Sequence, residues 1–134
     1  MKKYILDTSV VVKWFSQEEG TDEAEGWLKL LEKQEAEIYL PELVKYELAN
    51  ALLKEKKLSY KEAELALKIF YSLPLIFVEE NLGLAELSYK FAEKLGISYY
   101  DACFLALAKT QKAILVTANP RHHQKIAGLE VISL

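Results

Sequence analysis

A three-layer α/β/α sandwich on a mostly parallel sheet of about five strands is the predicted fold class, as a single domain over residues 1–134. Three observations predict it. Apolar runs of strand length recur at residues 3 to 6, 38 to 40, 75 to 78, 114 to 117 and 130 to 133. Helical patterns lie between most of them, and strands alternating with helices pack as a parallel sheet covered on both faces. Hydrophobic residues make up 51% and charged residues 28%, with no Pro/Gly-rich tract, so one substantial core is expected and long disorder is not.

Taken in order, residues 3 to 6 read as a buried strand, and Asp7-Thr8-Ser9 supplies the carboxylate and hydroxyls expected where a helix begins. That short helix runs through Phe15. After the QEEGTDE break a second helix covers roughly 22 to 34, with Ala24, Trp27, Leu28 and Leu31 on its apolar face. Ile38 to Leu40 is the next strand, and Pro41 suits the first turn of a helix reaching about Lys56. Ser59 and Glu62 have capping-box spacing before a helix that ends near Pro74. This two-helix crossover is expected to project apolar surface, including Phe70 and Tyr71, toward a partner. Leu75 to Val78 is a strand, Asn81 caps a helix that stops at Gly96, and another helix starts near Ser98. Its run DACFLALAKT is apolar on nearly all sides, as in a helix packed inside a layered domain. Ile114 to Thr117 and Glu130 to Ser133 complete the sheet.

Nothing approaches the roughly 18 uninterrupted apolar residues of a membrane span. Asp7 and Lys13 break the apolar run near the start, and no small-residue cleavage site follows, so secretion is not expected. The single Cys103 cannot form an internal disulfide, in keeping with a reducing cytoplasm. A net charge of −3 argues against broad binding of nucleic acid but leaves room for a local basic site. Beyond residue 100, Lys109, Lys112, Arg121 and Lys125 outnumber Asp101 and Glu130, so an anionic substrate would prefer that end.

Three acids sit where acids are awkward: Asp7 after an apolar strand, Glu47 among Val44, Leu48, Ala51 and Leu52, and Asp101 opening an apolar helix. Buried charge left unpaired is costly, and no Lys or Arg is comparably placed beside all three. A shared divalent cation is the economical explanation, and a cation held by carboxylates commonly serves phosphate chemistry. Each acid also has a plain structural reading. Asp7 can be a helix cap, Glu47 can snorkel or pair with Lys13, and Asp101 gains from a helix dipole without any ligand. Asn50, one turn beyond Glu47, can orient carboxylates or satisfy local backbone. His122 and His123, adjacent in a polar loop, fit solvated histidines at least as well as binding groups. An aspartyl-nucleophile phosphatase would need an acid where Ser9 stands.

The segments ILDTSVVVKW, LVKYELANAL, YYDACFLALA and ILVTANPR, in this order and approximate spacing, resemble PIN-domain proteins and closely resemble the VapC toxin ribonucleases. The resemblance spans essentially the whole chain. It implies a PIN-like fold in which Asp7, Glu47 and Asp101 bind Mg or Mn, with Ser9 and Thr117 supporting them by hydrogen bonds. It further implies metal-assisted attack of water on RNA, a homodimer, and restraint by a VapB-like antitoxin. Lys13 and Arg121 are the candidate contacts to RNA phosphates. One position departs from the family pattern: where its TxD segment has Asp, this chain reads Thr117-Ala118-Asn119. Asn119 can offer an oxygen to a metal but no charge, so a second cation should bind more weakly. That departure supports an alternative expectation, a PIN-like RNA- or protein-binding module with little or no catalysis.

Overall fold

Lys2–Leu6 forms β1, whose last residues Ile5 and Leu6 have no solvent exposure. In the computed structural model, which describes residues 1–119, 126 and 128–134, the next element is α1 at Thr8–Val11, continued by a 3₁₀ turn at Val12–Phe15. Then follow α2 (Thr21–Glu32), β2 (Ala36–Pro41), α3 (Leu43–Lys54), α4 (Tyr60–Ser72) and β3 (Ile76–Val78). The chain continues through α5 (Leu82–Leu95), α6 (Tyr99–Gln111), β4 (Ile114–Thr117) and β5 (Val131–Ser133). Local chemistry accounts for several boundaries. Ser59 Oγ accepts from Glu62 N at 3.2 Å while Glu62 Oε1 accepts from Ser59 N at 2.9 Å, a complete capping box for α4. Asn81 Oδ1 accepts from Leu84 N at 2.9 Å, and Gly96 ends α5 in the left-handed region at φ 67°.

The strands form one five-stranded parallel sheet in the order β3-β2-β1-β4-β5. Moving from β1 to β3 the chain steps one way, then it returns to place β4 on the other side of β1. With right-handed crossovers, that reversal puts α1 to α4 on one face and α5 and α6 on the other. The packing agrees, since α1 meets α3, α3 meets α4, and α5 meets α6. Both faces of β1 and β4 are thereby buried. α6 explains its apolar sequence directly, because Ala102 and Phe104 to Ala108 are all buried as it lies across β1, β2 and β4.

Two expectations need correction. Pro41 does not open a helix: it is the last residue of β2, paired with Val78. Pairing between β1 and β2 ends at Ile5 with Tyr39, and the next ladder bond to β3 comes from Glu42 N to Val78 O at 3.2 Å, so a missing proline N–H leaves no gap. Phe70 does not face a partner either. It is fully buried between Phe15 and Phe77, at ring-centroid distances of 6.4 and 5.7 Å, whereas its neighbour Tyr71 is 58% exposed.

Candidate active site

In an open parallel sheet, the strand-order reversal leaves a crevice beyond the strands' carboxyl ends. Here that point lies between β1 and β4, and the residues that leave these strands are Asp7 and Thr117. Asp7 is 1% exposed and Thr117 has no exposure. The Asp7 carboxylate caps α1: Oδ1 accepts from Ser9 N at 2.8 Å and from Ser9 Oγ, and Oδ2 accepts from Thr117 Oγ1. Asp7 N bonds Val116 O at 3.1 Å, which pins the turn to β4. Ser9 Oγ accepts from Ala118 N at 3.0 Å, and Thr117 Oγ1 from Asn119 N at 2.9 Å. Asp7, Ser9, Thr117 and the Asn119 backbone are thus one hydrogen-bonded unit spanning the two central strands. The Asn119 side chain is at the edge of it, with the residue half-buried.

Glu47 joins through a residue that the sequence reading passed over. Thr8 Oγ1 donates to Glu47 Oε1 at 2.6 Å, tying α3 to the turn after β1. The signal was present in the DTS segment, where Asp7 caps α1 and Ser9 bonds its carboxylate, which leaves the Thr8 hydroxyl for a partner elsewhere. Thr8, Ser9, Val12, Glu47, Asn50 and Glu55 line a hollow of about 310 Å³. Asn50 is exposed at its edge. Asp101 lies in the first turn of α6, on the opposite layer, where Asp101 N donates to the capping Ser98 Oγ at 3.0 Å. Its Oδ2 is buried. The Glu47 charge reaches α6 as well, being one of the carboxylates that raise the Cys103 thiol.

An all-oxygen donor set of this kind suits a hard divalent cation. Among the described residues, no group of three or more His, Cys, Asp or Glu side chains is placed to hold a metal ion.

Lys13 does not pair with Glu47. Its Nζ donates to Glu18 Oε1 at 2.9 Å and to Glu19 O at 2.7 Å, and Lys56, just beyond α3, holds the other Glu18 oxygen. Burial acts to raise the Glu18 carboxyl, but the hydrogen bonds from Lys56, Lys13 and Ser16 outweigh it and hold the group at about 2. Arg121, His122 and His123 fall outside the described residues.

The sequence matches the PIN domain family over residues 4–129. Among curated proteins none matches it significantly. Solved structures are similar over nearly the whole chain. The structure of VapBC2 from Rickettsia felis, bound to a DNA fragment from its promoter, gives a TM-score of 0.75 at 22% identity, covering 98% of each chain. PAE2754 from Pyrobaculum aerophilum gives 0.72 at 23% identity, covering 98% of this chain and 84% of the other. VapC20 from Mycobacterium tuberculosis, described as a sarcin-ricin loop cleaving toxin, gives 0.67 at 15% identity, with 86% and 87% covered. At these identities the likeness establishes the fold. Among the described residues no helix is long and apolar enough to cross a membrane.

Proposed function

Because the chain belongs to the PIN domain family, we propose that it is a Mg- or Mn-dependent endoribonuclease, the toxin of a VapBC-type pair restrained by a VapB-like antitoxin. The observation that carries this reading is Asp7. A buried carboxylate at the strand-order reversal is fixed by donors from both flanking segments, with Glu47 tied in through Thr8. Similar solved structures, one described as a toxin–antitoxin complex and one as a sarcin-ricin loop cleaving toxin, support the same class.

In this reading Asp7, Glu47 and Asp101, with Asn119 at a weaker position, hold the metal. When bound, a divalent cation supplies Lewis-acid activation of water and neutralises phosphate charge. The chain's own residues do the positioning. Ser9 and Thr117 fix the Asp7 carboxylate, Thr8 orients Glu47, and Asn50 offers an amide beside it. Water oxygen bonds to phosphorus as the bond to the 3′ oxygen breaks, leaving a 5′-phosphate and a 3′-hydroxyl. Lys13 and Arg121 are the proposed phosphate contacts, and Lys13 would have to share or leave Glu18 to serve. Tyr46 and Leu53 on α3, with Leu65 and Tyr71 on α4, are exposed and supply apolar surface for the antitoxin or for a second copy in a homodimer.

Purified protein incubated with several RNAs in Mg or Mn tests the proposal. Cutting that needs the metal and disappears in Asp7→Asn supports it. Absence of cutting in both proteins favours the second reading, a binding module, for which the uncharged Asn119 is the specific observation. Cutting that persists unchanged in Asp7→Asn assigns the activity to a contaminant and removes the support for catalysis.

A further inference from the structure

The carboxyl ends of β2 and β3, α5 and the first turns of α6 enclose a cavity of about 160 Å³ that the acidic centre does not use. Pro41, Val78, Leu84 and Leu107 give it apolar walls. A cavity near this size accepts a benzene ring, and this one opens to the surface, so a flat bicyclic ring can enter edge first. Ser88 lines it, is 1% exposed, and among the described residues its Oγ has no hydrogen-bond partner. The hydroxyl is close enough to Tyr99 and Cys103 to oppose the upward shift of both groups, but it completes a well-formed hydrogen bond to neither. A buried hydroxyl without a partner is disfavoured unless something completes it. At the mouth, Tyr99 OH donates to Glu80 Oε2 at 2.7 Å, and Cys103 Sγ lies 3.8 Å from Glu80 Oε1. Each carboxylate oxygen retains acceptor capacity. Glu42, also at the cavity, is already neutralised by Lys45 at 2.7 Å, and Tyr100 stands at the rim, 60% exposed.

We propose that this cavity is a specificity pocket for a guanine base of the RNA, read by Glu80 at the mouth and Ser88 within. The inference rests on the ribonuclease reading and names part of its substrate. Guanine presents two adjacent donors, N1–H and the N2 amino group, which match the paired oxygens of a carboxylate, and acceptors for the Ser88 proton. A cationic side chain of a protein partner would also suit Glu80, but it carries donors only and leaves that proton unmatched. Tyr100 offers a face for the base or its neighbour to stack on. Position favours the strand as well: Asp101 lies between Tyr100 and Cys103, which both line the cavity, so its occupant adjoins a strand crossing the acidic centre.

Fluorescent RNA octamers with guanine, inosine or adenine at each position in turn are titrated with the full chain in chelator. Wild type is compared with Glu80→Gln and Ser88→Ala, whose thermal unfolding is checked first. At one position guanine should bind roughly tenfold tighter than inosine, which lacks the N2 amino group. Glu80→Gln should erase that difference and Ser88→Ala reduce it. Binding that ignores the base at every position, or a preference unchanged in both variants, overturns the pocket. So does a result in which the variants keep RNA selectivity but lose affinity for purified antitoxin, which would assign the cavity to a protein partner. Since no metal is present, the readout is independent of cutting. Guanine-selective binding without cleavage in Mg or Mn sinks the ribonuclease reading and leaves the pocket, whereas cleavage without base selectivity sinks the pocket alone.

Discussion

Asp7 is buried, so its carboxylate depends on the donors that surround it, and these come from two distant parts of the chain. Ser9 follows it in sequence, while Thr117 arrives from β4. Replacing Thr117 with the near-isosteric Val removes one of them without opening a cavity. Calorimetric titration of Thr117→Val should show Mn affinity reduced by about tenfold; unchanged affinity would reject a supporting role for the hydroxyl. Asn119→Asp tests the opposite change, restoring a charge to the segment after β4, and should tighten Mn binding in the same titration. Unchanged or poorer binding would reject a metal-binding role for Asn119. Cys103 belongs to a different environment. Burial chiefly, and then the Glu80 and Glu47 carboxylates, push its thiol up to about 11 from an ordinary 9.0. At pH 8 it is therefore almost wholly protonated. Alkylation by iodoacetamide at that pH should be about 100-fold slower in the folded chain than in urea, and comparable rates would contradict the buried setting.

The turn between the 3₁₀ segment and α2 is held at Glu18, which takes Lys13 from one side and Lys56 from just beyond α3. Because its carboxyl is held at about 2 in the folded chain against 4.5 ordinarily, its stabilisation is fully present above pH 4.5. It is lost as the pH falls toward 2. The Glu18 side chain is 24% exposed, and solvent screening discounts the effect, so Glu18→Gln should cost about 1 to 2 kcal/mol at pH 7. Urea unfolding across pH should show wild type and variant converging below pH 4.5; a constant gap down to pH 2 would rule the ion pairs out. The helices and strands themselves were largely legible, because α4 and α5 carry both an apolar pattern and a cap, and β1 is an apolar run followed at once by the Asp7 cap of α1. Pro41 and Phe70 were not, for one shared reason. A proline tolerates a strand end or a helix start, and a phenylalanine on an amphipathic helix faces core or partner, until the tertiary neighbours are known. β1 ending early decided the first, and Phe15 and Phe77 the second.

At the scale of the whole molecule, strand order determines which segments meet at the candidate site. Reversal between β1 and β4 brings residues 7 and 117 together, a contact that no local pattern contains. The acids could be singled out from sequence because each interrupts an apolar stretch. Thr8, Glu80 and Ser88 could not, since hydroxyls and an exposed glutamate gain meaning only from what faces them. The same global view bears on how the proposed RNA substrate would be held. The chain carries a net charge of −3, and Lys13, one of the cations near the acidic edge, is engaged by Glu18. A broad electrostatic footprint is therefore not available, and in the proposed reading grip would come from the metal, a few phosphate contacts and the base. For single-stranded nucleic acid each neutralised phosphate contributes a salt slope of about −0.7, so three contacts give a slope near −2. Affinity for a short RNA, measured by fluorescence anisotropy with KCl raised fourfold, should accordingly fall by less than about 20-fold. A decidedly steeper loss would mean that many more cations engage the strand, and would reject binding by local contacts at the acidic edge.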